Sequence, residues 1–236
     1  MIGLLVVLLL LLIFVGTATR TPGYVYDTGK PGMCVGVIAS VHGNEPAGGL
    51  LLEQLIPTGW FTNIKTGSVR IIATPNPIGM QYGIRSRLTR GDLNRSFYAG
   101  TTDPDAIAIR KFFEPCDVVI DFHEGWGFHQ LQPESLGSTV MANSPWSHEI
   151  AQTIVKDLNN SAVMKPLGYK KQFVVMPWQQ ACDIKTTFAC DRARLNQHHI
   201  LVETSGQNNV QPLHIRQQQI IILLQSLFKH TNLTSL

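Results

Sequence analysis

The chain has 236 residues, of which 15% are charged and 44% hydrophobic, with a formal net charge of +3. Such a composition excludes an intrinsically disordered chain, and the lack of a long basic run removes the electrostatic footprint of a nucleic-acid binder. The length suits one domain with a sizeable core and is short for two.

Residues Ile2 to Val15 are apolar almost without interruption, and no charge precedes Arg20. The run lies between a secretory signal, with Gly16 and Ala18 as small residues ahead of a cut, and a short uncleaved anchor. Residues 1–20 are therefore expected to be a membrane anchor or signal segment. That places the protein at a membrane through a single N-terminal segment, or secretes it after cleavage near Ala18. Residues 21–236 are expected to form a single domain.

Met33 to Ala39 reads as the first buried strand. It runs into Ser40-Val41-His42-Gly43-Asn44-Glu45-Pro46, and Pro46 to Leu55 reads as a helix with Pro in its first turn. Gly43 suits a tight bend, and His42 and Glu45, three apart on a turn, can aim at one point. A second strand is expected over Val69 to Thr74. Between it and the next helix lies Arg87-Leu88-Thr89-Arg90-Gly91-Asp92-Leu93-Asn94-Arg95, whose arginines suit recognition of a carboxylate by a planar fork. A solvated basic loop is the plainer reading of that run.

Asp103 to Phe113 begins with an Asp-Pro helix start, and Val118 to Phe122 is a further buried strand that delivers His123 at its end. Thr139 to Ala142 reads as a strand, and Trp146 to Leu158 as a helix with apolar residues at helical spacing. Ile200 to Glu203 is the last strand, and Val210 to Phe228 a long amphipathic helix. Strands alternating with helices predict an α/β sheet with helices on both faces. In such sheets ligands gather at the carboxyl ends of the strands, where His42, His123 and Glu203 all fall.

Two imidazoles and a carboxylate make the three-ligand set of a catalytic zinc site with one position left open. Each histidine alone is more often a turn or satisfied core residue; the set gains weight from its arrangement at strand ends. A glutamate closing an apolar strand is held partly out of water, which raises its pKa and favours work as a general base. His148-Glu149 lacks a second histidine four residues on and is no HExxH motif. No CxxC pair exists among the four cysteines. Cys34 reads as core, whereas Cys182 and Cys190 could pair in an oxidising compartment. The sequons at Asn159 and Asn232 would be used only in that same setting.

These motifs together resemble the succinylglutamate desuccinylase/aspartoacylase family of the zinc carboxypeptidase superfamily. The matching segments are His42-Gly43-Asn44-Glu45-Pro46-Ala47-Gly48, Asn76-Pro77, Arg87 with Asp92-Leu93-Asn94-Arg95, Asp121-Phe122-His123-Glu124, and Val202-Glu203. The resemblance implies a zinc-carboxypeptidase-like mixed β-sheet flanked by helices, one zinc ion per chain, and hydrolysis of an amide. It assigns the metal to His42, Glu45 and His123, the general base to Glu203, and the polarised carbonyl to Arg87. Asn94 and Arg95 would hold the free carboxylate of an N-acyl amino acid substrate, and Asp92 would orient a zinc-bound histidine.

Family members commonly carry a further C-terminal β-rich region that supplies a pocket tyrosine. The residues after Glu203 read mainly as one helix, so a large region of that kind is not expected, and Tyr82, Tyr98 and Tyr169 are possible substitutes for the tyrosine. Arg192 and Arg194 either read an acidic substrate group or form solvated surface. A carboxypeptidase acting on peptides would use the same residues. The non-enzyme alternative is a membrane-tethered binding module on a decayed hydrolase fold; decay should have removed a ligand, the base or Arg87, and all are present.

Overall fold

The computed structural model describes residues 23–177, 180 and 182–234. The apolar run Ile2 to Val15, with its expected role as anchor or signal, lies outside the described residues. Among those described, no helix is long and apolar enough to cross a membrane.

The strands are β1 (Tyr24–Asp27), β2 (Cys34–Ala39), β3 (Ser68–Ile72), β4 (Val118–Gly125), β5 (Thr139–Ala142), β6 (Val174–Val175) and β7 (His198–Ser205). They form one seven-stranded sheet in the order β1-β3-β2-β4-β7-β5-β6. The middle four, β3, β2, β4 and β7, run parallel. β1 joins β3 and β5 joins β7 antiparallel, which makes the sheet mixed. The helices are α1 (Ala47–Leu55), α2 (Pro77–Tyr82), α3 (Pro104–Phe113), α4 (Pro145–Asn159), α5 (Phe188–Arg194) and α6 (Leu213–His230).

β2 and β4 are buried at every position, as strands covered on both faces must be. Their side chains alternate between two cores. Val35, Val37 and Ala39 pack with α1, α4 and α6, whereas Cys34 and Ile38 pack with α3 and Phe188 of α5. The helices begin where the sequence offers caps. Asp103 accepts from the backbone of Asp105 and Ala106 at the start of α3, and Ser144 forms a capping box with Ser147 at the start of α4.

Two differences from the sequence reading bear on the site. β4 continues past the expected end at Phe122, because His123 and Glu124 stay in register with Glu203 and Thr204 of β7. The strand expected over Val69 to Thr74 stops at Ile72. All four cysteines are free thiols. Cys34 and Cys116 lie sulfur to sulfur at 3.0 Å inside the core, and the Cys182 and Cys190 thiols also interact with each other.

Candidate active site

On β4, Val118, Ile120 and Phe122 belong to the α1/α4/α6 core, so Asp121 and His123 point to the opposite face. On β7, Ile200 and Val202 belong to that same core. His199, Leu201 and Glu203 therefore share the face of His123. The loop after β2 brings His42 and Glu45 to the same point. Ser40 takes a left-handed φ of 49° there, and its hydroxyl donates to the Glu45 carbonyl at 2.9 Å. Gly43 is required for close approach rather than for a bend: a Cβ there would sit 2.0 Å from the carbonyl carbon of Gly79 in α2.

His42, Glu45 and His123 are buried and converge on one point. His42 Nδ1 lies 2.8 Å from Glu45 Oε1, His123 Nδ1 lies 2.7 Å from Glu45 Oε2, and the two Nδ1 atoms are 3.1 Å apart. A tetrahedral ion with bonds of about 2.0–2.1 Å spaces its ligands roughly 3.3 Å apart, so these donors need part by only a few tenths of an ångström. Two imidazole nitrogens and one carboxylate fit zinc.

The other ring nitrogens are held from behind. His42 Nε2 meets Asp92 Oδ1 at 3.1 Å, and His123 Nε2 meets Asp121 Oδ2 at 3.2 Å. Carboxylates in those places fix the tautomer that leaves both Nδ1 atoms free for a metal. Burial by itself would depress the His123 pKa, but the charges of Asp121 and Glu45 outweigh it and hold it well above the usual histidine value. Burial likewise favours the neutral Glu45 carboxyl, yet His123 and His42 keep it well below the ordinary carboxylate range. Asp121 also stands 3.6 Å from Nε2 of the buried His199.

Glu203 is the register partner of His123. It retains some exposure to a cleft of about 320 Å³ that the triad also lines. Desolvation pushes its carboxyl up to about 8; His123 opposes that rise, while Glu45 and Asp121 add to it.

Arg87, to which the resemblance assigns the carbonyl, does not line this cleft. Its guanidinium is buried against Asp103 and Asp105, each at 2.7 Å, and donates to Ser96 Oγ and the Arg90 carbonyl. Two carboxylates at the start of α3 thus claim it as a structural pin. Arg85, two residues earlier, reaches the cleft instead. It donates to Glu45 Oε1 at 3.1 Å and to Asp92 Oδ2 at 3.2 Å.

Asn94 and Arg95 also line the cleft. Asn94 is fixed by its Oδ1, which accepts from Phe188 N at 2.9 Å, and Arg95 is exposed. Asp92 accepts from the Asn94 backbone N–H at 2.8 Å, which ties the triad to Asn94.

Arg192 forms no solvated surface. It is fully buried and donates to the carbonyls of Phe113, Cys116 and His198, while Arg194 pairs with Asp191. Tyr82, Tyr98 and Tyr169 are exposed and lie off the cleft.

Arg85, Glu124 and Arg216 stand around the site with no role assigned to them from the sequence. Arg85 sits in the same basic run as Arg87, and spacing cannot separate them. Glu124 holds Glu45 through its backbone N–H at 3.2 Å and accepts from Ala47 N at 2.5 Å. Arg216 of α6 pairs with the Glu124 carboxylate in the interior. Burial raises the Glu124 pKa despite that partner.

The family model described as the succinylglutamate desuccinylase/aspartoacylase catalytic domain matches residues 31–224. A comparison with curated proteins gives no match. Among solved structures, product-bound cell shape determinant protein Csd4 from Helicobacter pylori is similar at a TM-score of 0.75 and 16% identity, over 91% of this chain and 56% of that one. A succinylglutamate desuccinylase from Silicibacter sp. TM1040 is similar at 0.62 and 18% identity, over 92% of this chain and 62% of that one. The ectoine utilization protein EutE (DoeB) from Ruegeria pomeroyi gives 0.61 and 18%, with coverage of 92% and 62%. The chain thus spans less than two thirds of the length of these structures.

Proposed function

Because this chain belongs to the succinylglutamate desuccinylase/aspartoacylase catalytic-domain family, we propose that it is a zinc-dependent hydrolase cleaving the amide bond of N-acyl amino acids or similar small carboxylate-bearing amides. The observation that carries this reading is the convergence of His42, Glu45, His123 and Glu203 on one cleft that Arg85, Asn94 and Arg95 also line.

His42, Glu45 and His123 would hold the ion. When bound, zinc supplies Lewis-acid chemistry, polarising the scissile carbonyl and lowering the pKa of a water to about 7. Asp92 and Asp121 keep each histidine turned with Nδ1 inward. Glu203 takes a proton from the attacking water and passes it to the departing amine. In the metal-free site burial raises this carboxyl above its ordinary value, which favours its holding the proton between the two transfers. Arg85 stands where a donor can meet charge developing on the carbonyl oxygen, a contribution typically of about 3 kcal/mol. Asn94 and Arg95 grip the free carboxylate and so set the amide over the ion.

A hydrolysis screen of acylated amino acids, run with and without chelator, tests the reading. Zinc-dependent release of amine is expected; turnover that survives full metal removal would overturn it. Carboxypeptidase action on peptides is the second reading, supported by the likeness to Csd4, which is described as a D,L-carboxypeptidase. Preference for peptides over acyl amino acids in a parallel panel would favour it.

A further inference from the structure

One wall of the cleft is apolar, and it adjoins the corner that reads the carboxylate. Met141 of β5 and Leu201 of β7 are register partners on the face shared with His123 and Glu203. Met176 continues that wall, its backbone N–H bonded to the Val140 carbonyl at 2.9 Å. Ile184 lines the same cleft. The segment carrying Ile184 leads into α5, whose Phe188 N–H binds Asn94 Oδ1. Asn143, two residues after Met141, donates to the Ala189 carbonyl at 3.3 Å. The wall is thus joined through α5 to Asn94, which lines the same cleft, and on the carboxylate grip proposed above it faces the substrate residue that bears the free carboxylate.

Charge points the same way. Among the described residues, the arginines and lysines lining the cleft are Arg85 and Arg95. Arg85 is engaged by Glu45 and Asp92, and Arg95 belongs to the carboxylate grip. Arg192 and Arg194 are spent elsewhere. Asp183 and Glu203 add acidic groups to the lining. A second carboxylate on the substrate would enter this wall without a partner, and an unpaired charge against apolar side chains is strongly disfavoured.

We infer that the amino acid carrying the free carboxylate has an uncharged apolar side chain, aliphatic, thioether or aromatic, in place of the acidic side chain of aspartate or glutamate. The inference rests on the hydrolase reading above and holds for an acyl amino acid or a peptide end alike.

The zinc-loaded full chain is assayed on N-acetyl-L-leucine, N-acetyl-L-methionine and N-acetyl-L-phenylalanine against N-acetyl-L-aspartate and N-succinyl-L-glutamate. The best apolar substrate is expected to exceed the acidic ones in kcat/KM by about 100-fold or more. Met141→Lys and Leu201→Arg, either of which supplies the missing cation, are each expected to narrow that ratio at least about tenfold. Calorimetric titration with free leucine and free aspartate reads side-chain preference without turnover and also covers a variant that fails to fold. Tighter leucine binding supports the inference, and equal or tighter aspartate binding overturns it. Chelator-sensitive hydrolysis that favours acidic substrates overturns this inference alone. Hydrolysis that is absent or chelator-insensitive overturns the hydrolase reading, and the titration still decides the side chain; binding of neither amino acid overturns both.

Discussion

His123 of β4 and Glu203 of β7 face each other as register partners in adjacent parallel strands. The proposed metal ligand and the proposed base are thus spaced by the backbone ladder itself, not by a mobile loop. That placement separates the two roles experimentally. Glu203→Gln keeps the shape of the side chain and leaves the triad intact. Zinc content by elemental analysis is expected to stay near that of the parent while kcat falls about 100-fold or more. Unchanged turnover would remove Glu203 from the role.

The same carboxyl makes stability depend on pH in the metal-free protein. Its pKa of about 8 lies above the ordinary value of 4.5 expected in the unfolded chain. Between those values the native state binds more protons than the unfolded state, so stability falls as pH rises through the window. Glu203→Gln abolishes that slope. Urea unfolding should therefore show the variant gaining on the parent from pH 5 to pH 8; a constant difference would mean that the carboxyl is not raised.

Removing a ligand acts on the metal and not on the base. His42→Ala and His123→Ala are each expected to reduce bound zinc to a small fraction of the parent's after dialysis, as read by elemental analysis. Asp121→Asn, which removes the charge behind His123, should weaken zinc affinity about 10- to 100-fold in a competition titration. Full zinc retention in His42→Ala would displace the ion from this site.

Arg85 and Arg87 should part in opposite ways. Arg87→Met leaves Asp103 and Asp105 without their buried partner and is expected to cost about 3 kcal/mol of stability, measured by denaturant unfolding. Turnover per folded molecule should change little. Arg85→Lys removes a planar donor from the cleft and is expected to cut kcat/KM at least about tenfold with little loss of stability. The reverse pattern would return the catalytic role to Arg87.

Much of this arrangement is legible in the sequence because apolar periodicity marks buried strands. β2, β3 and β4 show themselves as Val- and Ile-rich runs and β7 as the apolar run Ile200 to Val202, and the rule that ligands gather at strand ends then picks out His42, His123 and Glu203. The rest depends on contacts that no local pattern encodes. Arg85 and Arg87 are equivalent in spacing, and only the position of α3, with Asp103 and Asp105 at its start, decides which one turns away. Arg192 reads as a surface charge until the backbone carbonyls of Phe113, Cys116 and His198 close around it. β1 and β6 are short and partly exposed, so they carry little periodic signal. The pairing of Glu124 with Arg216 joins residues 92 apart, a distance that sequence spacing cannot bridge.

The sheet order has a consequence for how the chain is made. β7 is the last strand in sequence, yet it sits inside the sheet between β4 and β5. During synthesis β5 has no strand to bridge it to β4 until residues 198–205 leave the ribosome, and the Glu124 charge waits longer still for Arg216. From the completion of β4 until β7 emerges, the nascent chain therefore carries an open β4 edge. Its assembly waits on long-range pairing, because Val118 of β4 meets His198 of β7 only after the intervening residues have been made.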